Sequence, residues 1–298
     1  MLAGTSTSSE ELPTAMHEYF RFLRRAVVQA LLHDVLTTAK ATAYSGMLML
    51  FPALLVVSTL LAQAPAGQTL VGELRAACEQ FFPADTMVLL QYSFQARRLH
   101  SIQVLTSAST LSFFAALGLM LTMMEGFRKA YRHKPESWGF WARRIRAVLL
   151  VPIVLIPFSL ATLIVLFGHQ YEIWMIANSG HQLRWLVLFF WRMVRWLLAA
   201  GTSIAVLSSI YHFGTHHKEH WKHVLPGALT ATFLWFPVTL LFGWYVNRVA
   251  AYSLVYGSLG ASIATMVWLY ISSFSFLLGA EFNGVIYRER NNIPLNPH

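Results

Sequence analysis

The chain has 298 residues, 56% hydrophobic and only 12% charged, against roughly 25% charged in an ordinary soluble domain. With a mean hydropathy of +0.51, this composition excludes a typical soluble enzyme domain and points to an all-α polytopic membrane protein. The formal net charge of +9 then reads as a basic excess in cytoplasmic loops rather than a nucleic-acid surface, and the single cysteine, Cys78, excludes an intramolecular disulfide.

Residues 1–15 are rich in Ser and Thr and are expected to form a disordered tail. Residues 16–290 read as one six-helix membrane domain, followed by a short tail over 291–298. Over 16–40, Phe20, Leu23, Val27 and Leu31 recur at helical spacing while Arg21, Arg24, Arg25 and Gln29 lie on other faces. This predicts an amphipathic helix at the inner leaflet or packed on the bundle. Apolar runs of about twenty residues suffice to cross a bilayer. They place spans at about 41–62, 104–124, 147–168, 188–211, 224–246 and 255–280. The motif "LAQAPAG" after the first span resembles a cleavage site, but the apolar run starts too far into the chain for a signal peptide. The loop over 68–100 mixes charged and apolar residues, so helical structure interrupted near Pro83 is expected there.

Fifteen Lys and Arg residues fall in the N-terminal segment, the 125–146 and 212–223 loops and the tail, against five in the opposite loops. Positive charge stays in the cytoplasm, which predicts two cytoplasmic termini and an even number of spans.

The C-terminal third carries Leu225-Pro226-Gly227-Ala228, Tyr256-Gly257-Ser258-Leu259-Gly260-Ala261, Trp268-Leu269-Tyr270 and Leu278-Gly279-Ala280-Glu281. The first span adds "AYSGMLMLFPALLVV", with Asp34 ahead of it, and the second cytoplasmic loop reads "MEGFRKAYRHKPESWGFWARRIRAVLLV". Together these resemble the YihY/BrkB family of bacterial inner-membrane proteins, from about residue 20 to 290. The resemblance implies six helices and an inner-membrane location. The family's labels, a ribonuclease and a virulence factor of serum resistance, identify no site residues.

The stretch "YHFGTHHKEHWKH" over 211–223 holds five of the twelve histidines. His216 and His220 are four apart and could share a helix face toward zinc. No HExxH and no third ligand at a defined spacing accompany them, so a solvated basic loop is the plainer reading and no cofactor is expected. A ribonuclease needs an acid and a base, or carboxylates holding metal ions, beside a phosphate groove. The thirteen acidic residues are instead scattered. The aromatic and basic 125–146 loop reads as an interfacial anchor, with no nucleic-acid partner.

Charged residues at the membrane are the better functional candidates. Arg192 and Arg195 are three apart, and Arg184 falls eleven before Arg195, close to the same stripe. This ridge at the outer end of the fourth span could bind an anionic headgroup or snorkel to the surface. Glu125 and Glu281 close the second and sixth spans on the cytoplasmic side. Each is a candidate to pair with Lys40 or with a basic residue of the 125–146 loop, and Asp34 could join them. Pro52, Pro152, Pro157 and Pro237 mark helix bends. Gly257 and Ala261, with Ser258 and Ser262, give small-xxx-small spacing for close helix packing.

Three functions are expected in this order. The first is transport or flippase-like handling of an amphiphilic or lipid-linked envelope component. The second is a non-transporting scaffold or regulator of an envelope complex, and the third a membrane-bound enzyme. Membrane lipids, a second copy of the chain or an envelope protein are the expected partners. No GxxxxGK[ST] motif supplies a nucleotide site.

Overall fold

A computed structural model describes residues 11–62, 68–69, 71–72, 74–75, 102–132, 139–157, 184–215, 220–248 and 259–293. All the regular structure among them is helical. In chain order the long helices are α1 (Glu11–Leu32), α2 (Val35–Ala62), α3 (Ile102–Ala130), α4 (140–157), α5 (Arg184–Gly214), α6 (Trp221–Arg248) and α7 (Leu259–Arg290). Five are long and apolar enough to cross a membrane: Val35–Leu61, Leu105–Ala130, Phe189–Gly214, Trp221–Tyr245 and Ser262–Arg290. The remaining expected span, 147–168, coincides with α4 as far as residue 157, and its second half lies outside the described residues. So do most of the 68–100 loop with Pro83, and Gly257 and Ser258.

The helix ends follow local chemistry. The expected helix over 16–40 is split in two, because Asp34 adopts φ 56° directly between α1 and α2. Asp is among the few residues that tolerate this left-handed conformation. His33 N–H still donates to Gln29 O at 2.8 Å, which closes α1, and α2 begins at the next residue. The same conformation ends α3 at Arg132 and α7 at Asn292. Ile293 N–H donates back to Arg288 O at 2.9 Å, the long return bond typical of a helix C-terminus.

Helix α7 is the centre of the bundle, packing against α6, α2, α1 and α3. It runs to Arg290, ten residues past the end expected from hydropathy alone. At about 1.5 Å per residue it outlasts the roughly 30 Å hydrocarbon layer, so one of its ends extends past that layer. The helix ends assigned to the cytoplasm by charge meet there. Phe127 near the end of α3 stacks edge-on against Tyr211 near the end of α5 at 5.3 Å. Tyr211 donates to Phe276 O of α7 at 2.6 Å. The largest buried cluster lies at this level and includes Ala26, Val35, Phe127, Tyr211, Val224, Leu277 and Val285. A second cluster, with Met120, Met124, Ala147 and Leu150, joins α3 to α4.

Candidate functional site

The last three turns of α7 carry Glu281, Asn283 and Arg288, all buried. Glu281 and Arg288 are seven residues apart, about two turns, and therefore share a face. Helix α1 crosses that face. Its Gln29 and the His33 that follows it point inward, while the small Ala26 and Ala30 let the two backbones approach.

Glu281 is fully buried, and its Oε1 lies 2.7 Å from His33 Nδ1. Arg288, also fully buried, donates from Nη1 to Gln29 Oε1 at 3.1 Å and from Nε to Gly284 O at 3.1 Å. Its Nη2 stands 3.8 Å from Glu281 Oε2, an ion-pair contact too long for a hydrogen bond. Two charges out of water are tolerable only when each has its counterpart, and here the counterparts come from three segments: α1, the α1–α2 turn and α7.

Asn283 works on α6. Pro226 brings no N–H to its helix, and the Asn283 carboxamide bonds the backbone on either side of it. Its Oδ1 accepts from Gly227 N–H at 2.7 Å and its Nδ2 donates to Val224 O at 2.9 Å. This is possible because α6 and α7 nearly touch. A Cβ on Gly227 would meet the Gly279 carbonyl, and one on Gly279 would sit 2.5 Å from the Gly227 carbonyl. The arrangement is a charge-balanced polar lock that closes this end of the bundle.

A second ionic group lies beside it. Glu125 of α3 accepts from Arg128 and stands 3.3 Å from Arg143 Nη2 on α4. Arg143 also donates to Leu121 O at 3.0 Å, fastening the start of α4 to α3.

The other sequence candidates fall elsewhere. Asp34 is exposed and sets the turn; Lys40 is exposed on α2. Neither forms an ion pair with Glu281 or Glu125, whose partners are His33, Arg288, Arg128 and Arg143. His216 lies outside the described residues. His220 is exposed, with its ring 6.0 Å from that of His223, and no group of three potential metal ligands occurs among the described residues. Arg192 is exposed on α5, while the side chains of Arg184 and Arg195 lie outside the described residues. Sequence reading missed Gln29, His33, Asn283 and Arg288. The seven-residue spacing of Glu281 and Arg288 was an available signal, hidden because the span was ended at 280.

The family model for virulence factor BrkB matches residues 26–298. The chain belongs to this family. All members of the polar lock fall within the matched region. Among relatives, YfkH of Bacillus subtilis (strain 168), named as ribonuclease-like, is 28% identical over 278 residues, covering 93% of this chain and 99% of YfkH. A UPF0761 membrane protein of Aromatoleum aromaticum is 26% identical over 281 residues, covering 92% of this chain but 64% of that longer relative. A UPF0761 membrane protein of Xanthomonas campestris pv. campestris is 35% identical over 98 residues, 33% of this chain and 22% of the relative. No solved structure matches. With its five apolar spans, this BrkB-family chain is a multi-pass bacterial membrane protein, consistent with the inner membrane.

Proposed function

We propose that the chain handles an anionic amphiphile, a lipid or lipid-linked envelope component, and moves it across or within the inner membrane through a six-span bundle. The observation that carries this reading is Arg192. It lies one turn inside the outer end of its span and is exposed among exposed Phe189, Phe190, Met193, Trp196 and Leu197. The 22 residues between Arg192 and Gly214 span about 33 Å, about a bilayer's hydrocarbon thickness, which supports a location at the membrane face opposite the polar lock. A guanidinium on a lipid-facing surface is costly unless it reaches headgroups or an anionic ligand. With Arg195 one turn further along the helix and Arg184 about two turns before Arg192, the spacing suits a phosphate flanked by acyl chains.

The scaffold reading draws on the polar lock, whose close packing would suit a rigid platform for an envelope partner. The enzyme reading draws on the name of YfkH, yet Glu281 is fully buried and Glu125 is held by two arginines, which leaves neither placed for acid–base work on RNA. Native mass spectrometry of tag-free protein released from its own membrane separates the first two readings. A stoichiometric anionic amphiphile, lost in Arg192→Gln/Arg195→Gln and kept in Lys40→Gln, is expected. A chain carrying only protein partners would overturn the transport reading and support the scaffold.

A further inference from the structure

Helix α1 is not among the membrane-spanning helices, yet it presents a large apolar surface. Phe20 is 60% exposed, Val28 49%, Leu31 59% and Leu32 63%. Its opposite face, Ala26, Gln29 and Ala30, is buried on the bundle. The outward surface therefore belongs to neither the core nor a span.

The charges are arranged unequally along it. Arg21 and Arg25 both reach Glu289 of α7, at 3.2 and 2.9 Å. Arg24 is exposed and forms no ion pair among the described residues. By helical spacing it sits within the apolar stripe, between Phe20 and Val28 at four residues on either side and beside Leu31 at seven. The basic residues occupy the first part of the stripe and the bare apolar residues the last. Beyond the turn at Asp34, Ala41, Tyr44 and Leu48 of α2 are exposed as well, within a run long and apolar enough to cross a membrane.

We propose that α1 is seated in the cytoplasmic leaflet and that Arg24 binds the phosphate of an anionic phospholipid there, with Phe20, Val28 and Leu31 against its acyl chains. Basic residues beside exposed apolar side chains are the pattern of helices lying in an anionic interface, and the short turn over His33 and Asp34 ties the C-terminal end of α1 to the start of an apolar span. This site lies on the opposite leaflet from Arg192 and does not rest on the transport reading.

The test uses the full chain with Cys78→Ser. Spin labels are placed singly at Val28→Cys and Leu31→Cys in nanodiscs of phosphatidylcholine with phosphatidylglycerol. Both labels should be accessible to oxygen and shielded from a water-soluble nickel reagent. Accessibility to nickel, or shielding from both by a second copy or a protein partner, would overturn the seating. Titration with phosphatidylglycerol, read by native mass spectrometry, should show binding weakened about fivefold in Arg24→Gln, the effect of one basic residue near an anionic surface. Lys40→Gln should leave it unchanged. Equal binding by wild type and Arg24→Gln would overturn the headgroup assignment.

Discussion

Glu281 and Glu289 lie two turns apart on α7 and both pair with groups of α1 or its adjoining turn, but their surroundings differ. Glu281 is fully buried against His33 and Arg288. Glu289 is about two-fifths exposed against Arg21 and Arg25. Removing one partner of a buried pair leaves an uncompensated charge, whereas an exposed pair contributes little. Glu281→Ala should therefore destabilise the protein by about 3 kcal/mol or more, seen as a large fall in melting temperature in detergent. Glu289→Gln should stay within about 1 kcal/mol of wild type. Comparable losses from the two would show that burial does not decide the matter. Of these residues, only Glu281 stood out in the sequence, as a carboxylate at a span end. His33 and Gln29 were hidden because their partners are about 250 residues away in sequence, and periodicity carries no information on such pairing.

Among elements, the α6–α7 seam and the α1–α2 turn are the two places where backbone geometry leaves little room. Gly227→Ala would push a methyl group into the Gly279 carbonyl and the Asn283 carboxamide, and the backbone carbonyl cannot give way as a side chain could. It should prevent the helices from closing and lose most of the folded, monodisperse protein. Gly201→Ala, whose added methyl meets nothing within 4 Å, should be neutral or slightly stabilising by helix propensity. Size-exclusion profiles of the two variants, expressed side by side, make the comparison. At the turn, φ 56° penalises a β-branched side chain by about 1–2 kcal/mol. Asp34→Val should lower the melting temperature, and Asp34→Gly should restore it; a Val variant as stable as wild type would remove the strain argument. The Leu225-Pro226-Gly227-Ala228 and Leu278-Gly279-Ala280-Glu281 motifs were legible as marks of family resemblance. Their mutual contact was not, since two glycines 52 residues apart in sequence reveal a close approach only once both helices are placed. Hydropathy marks an apolar run that ends at 280, while α7 continues to Arg290, because hydropathy cannot follow a helix past an apolar run when tertiary partners bury its polar last turns.

For the whole molecule, the charge bias predicts which face of the bundle lies in the cytoplasm. The ends of α3, α5 and α7 and the starts of α2, α4 and α6 gather at one face with the basic residues. Reporters fused after His298 should give a fluorescent cytoplasmic protein and an inactive periplasmic phosphatase, and the opposite pattern would reverse the topology. Fold class and family membership were legible because they rest on long apolar runs and contiguous motifs. The functional surface was only partly legible. A lone arginine in a span marks a candidate, but its exposure and neighbours come from packing.

Movement of an anionic amphiphile can be measured in proteoliposomes. A fluorescent phosphatidylglycerol analogue is placed in one leaflet, and its transbilayer movement is read by chemical quenching from outside. Movement should be faster with the wild-type chain than in protein-free vesicles and fall to the protein-free rate in Arg192→Gln/Arg195→Gln while that variant remains folded. Wild-type vesicles no faster than protein-free ones, or a double variant as fast as wild type, would contradict it.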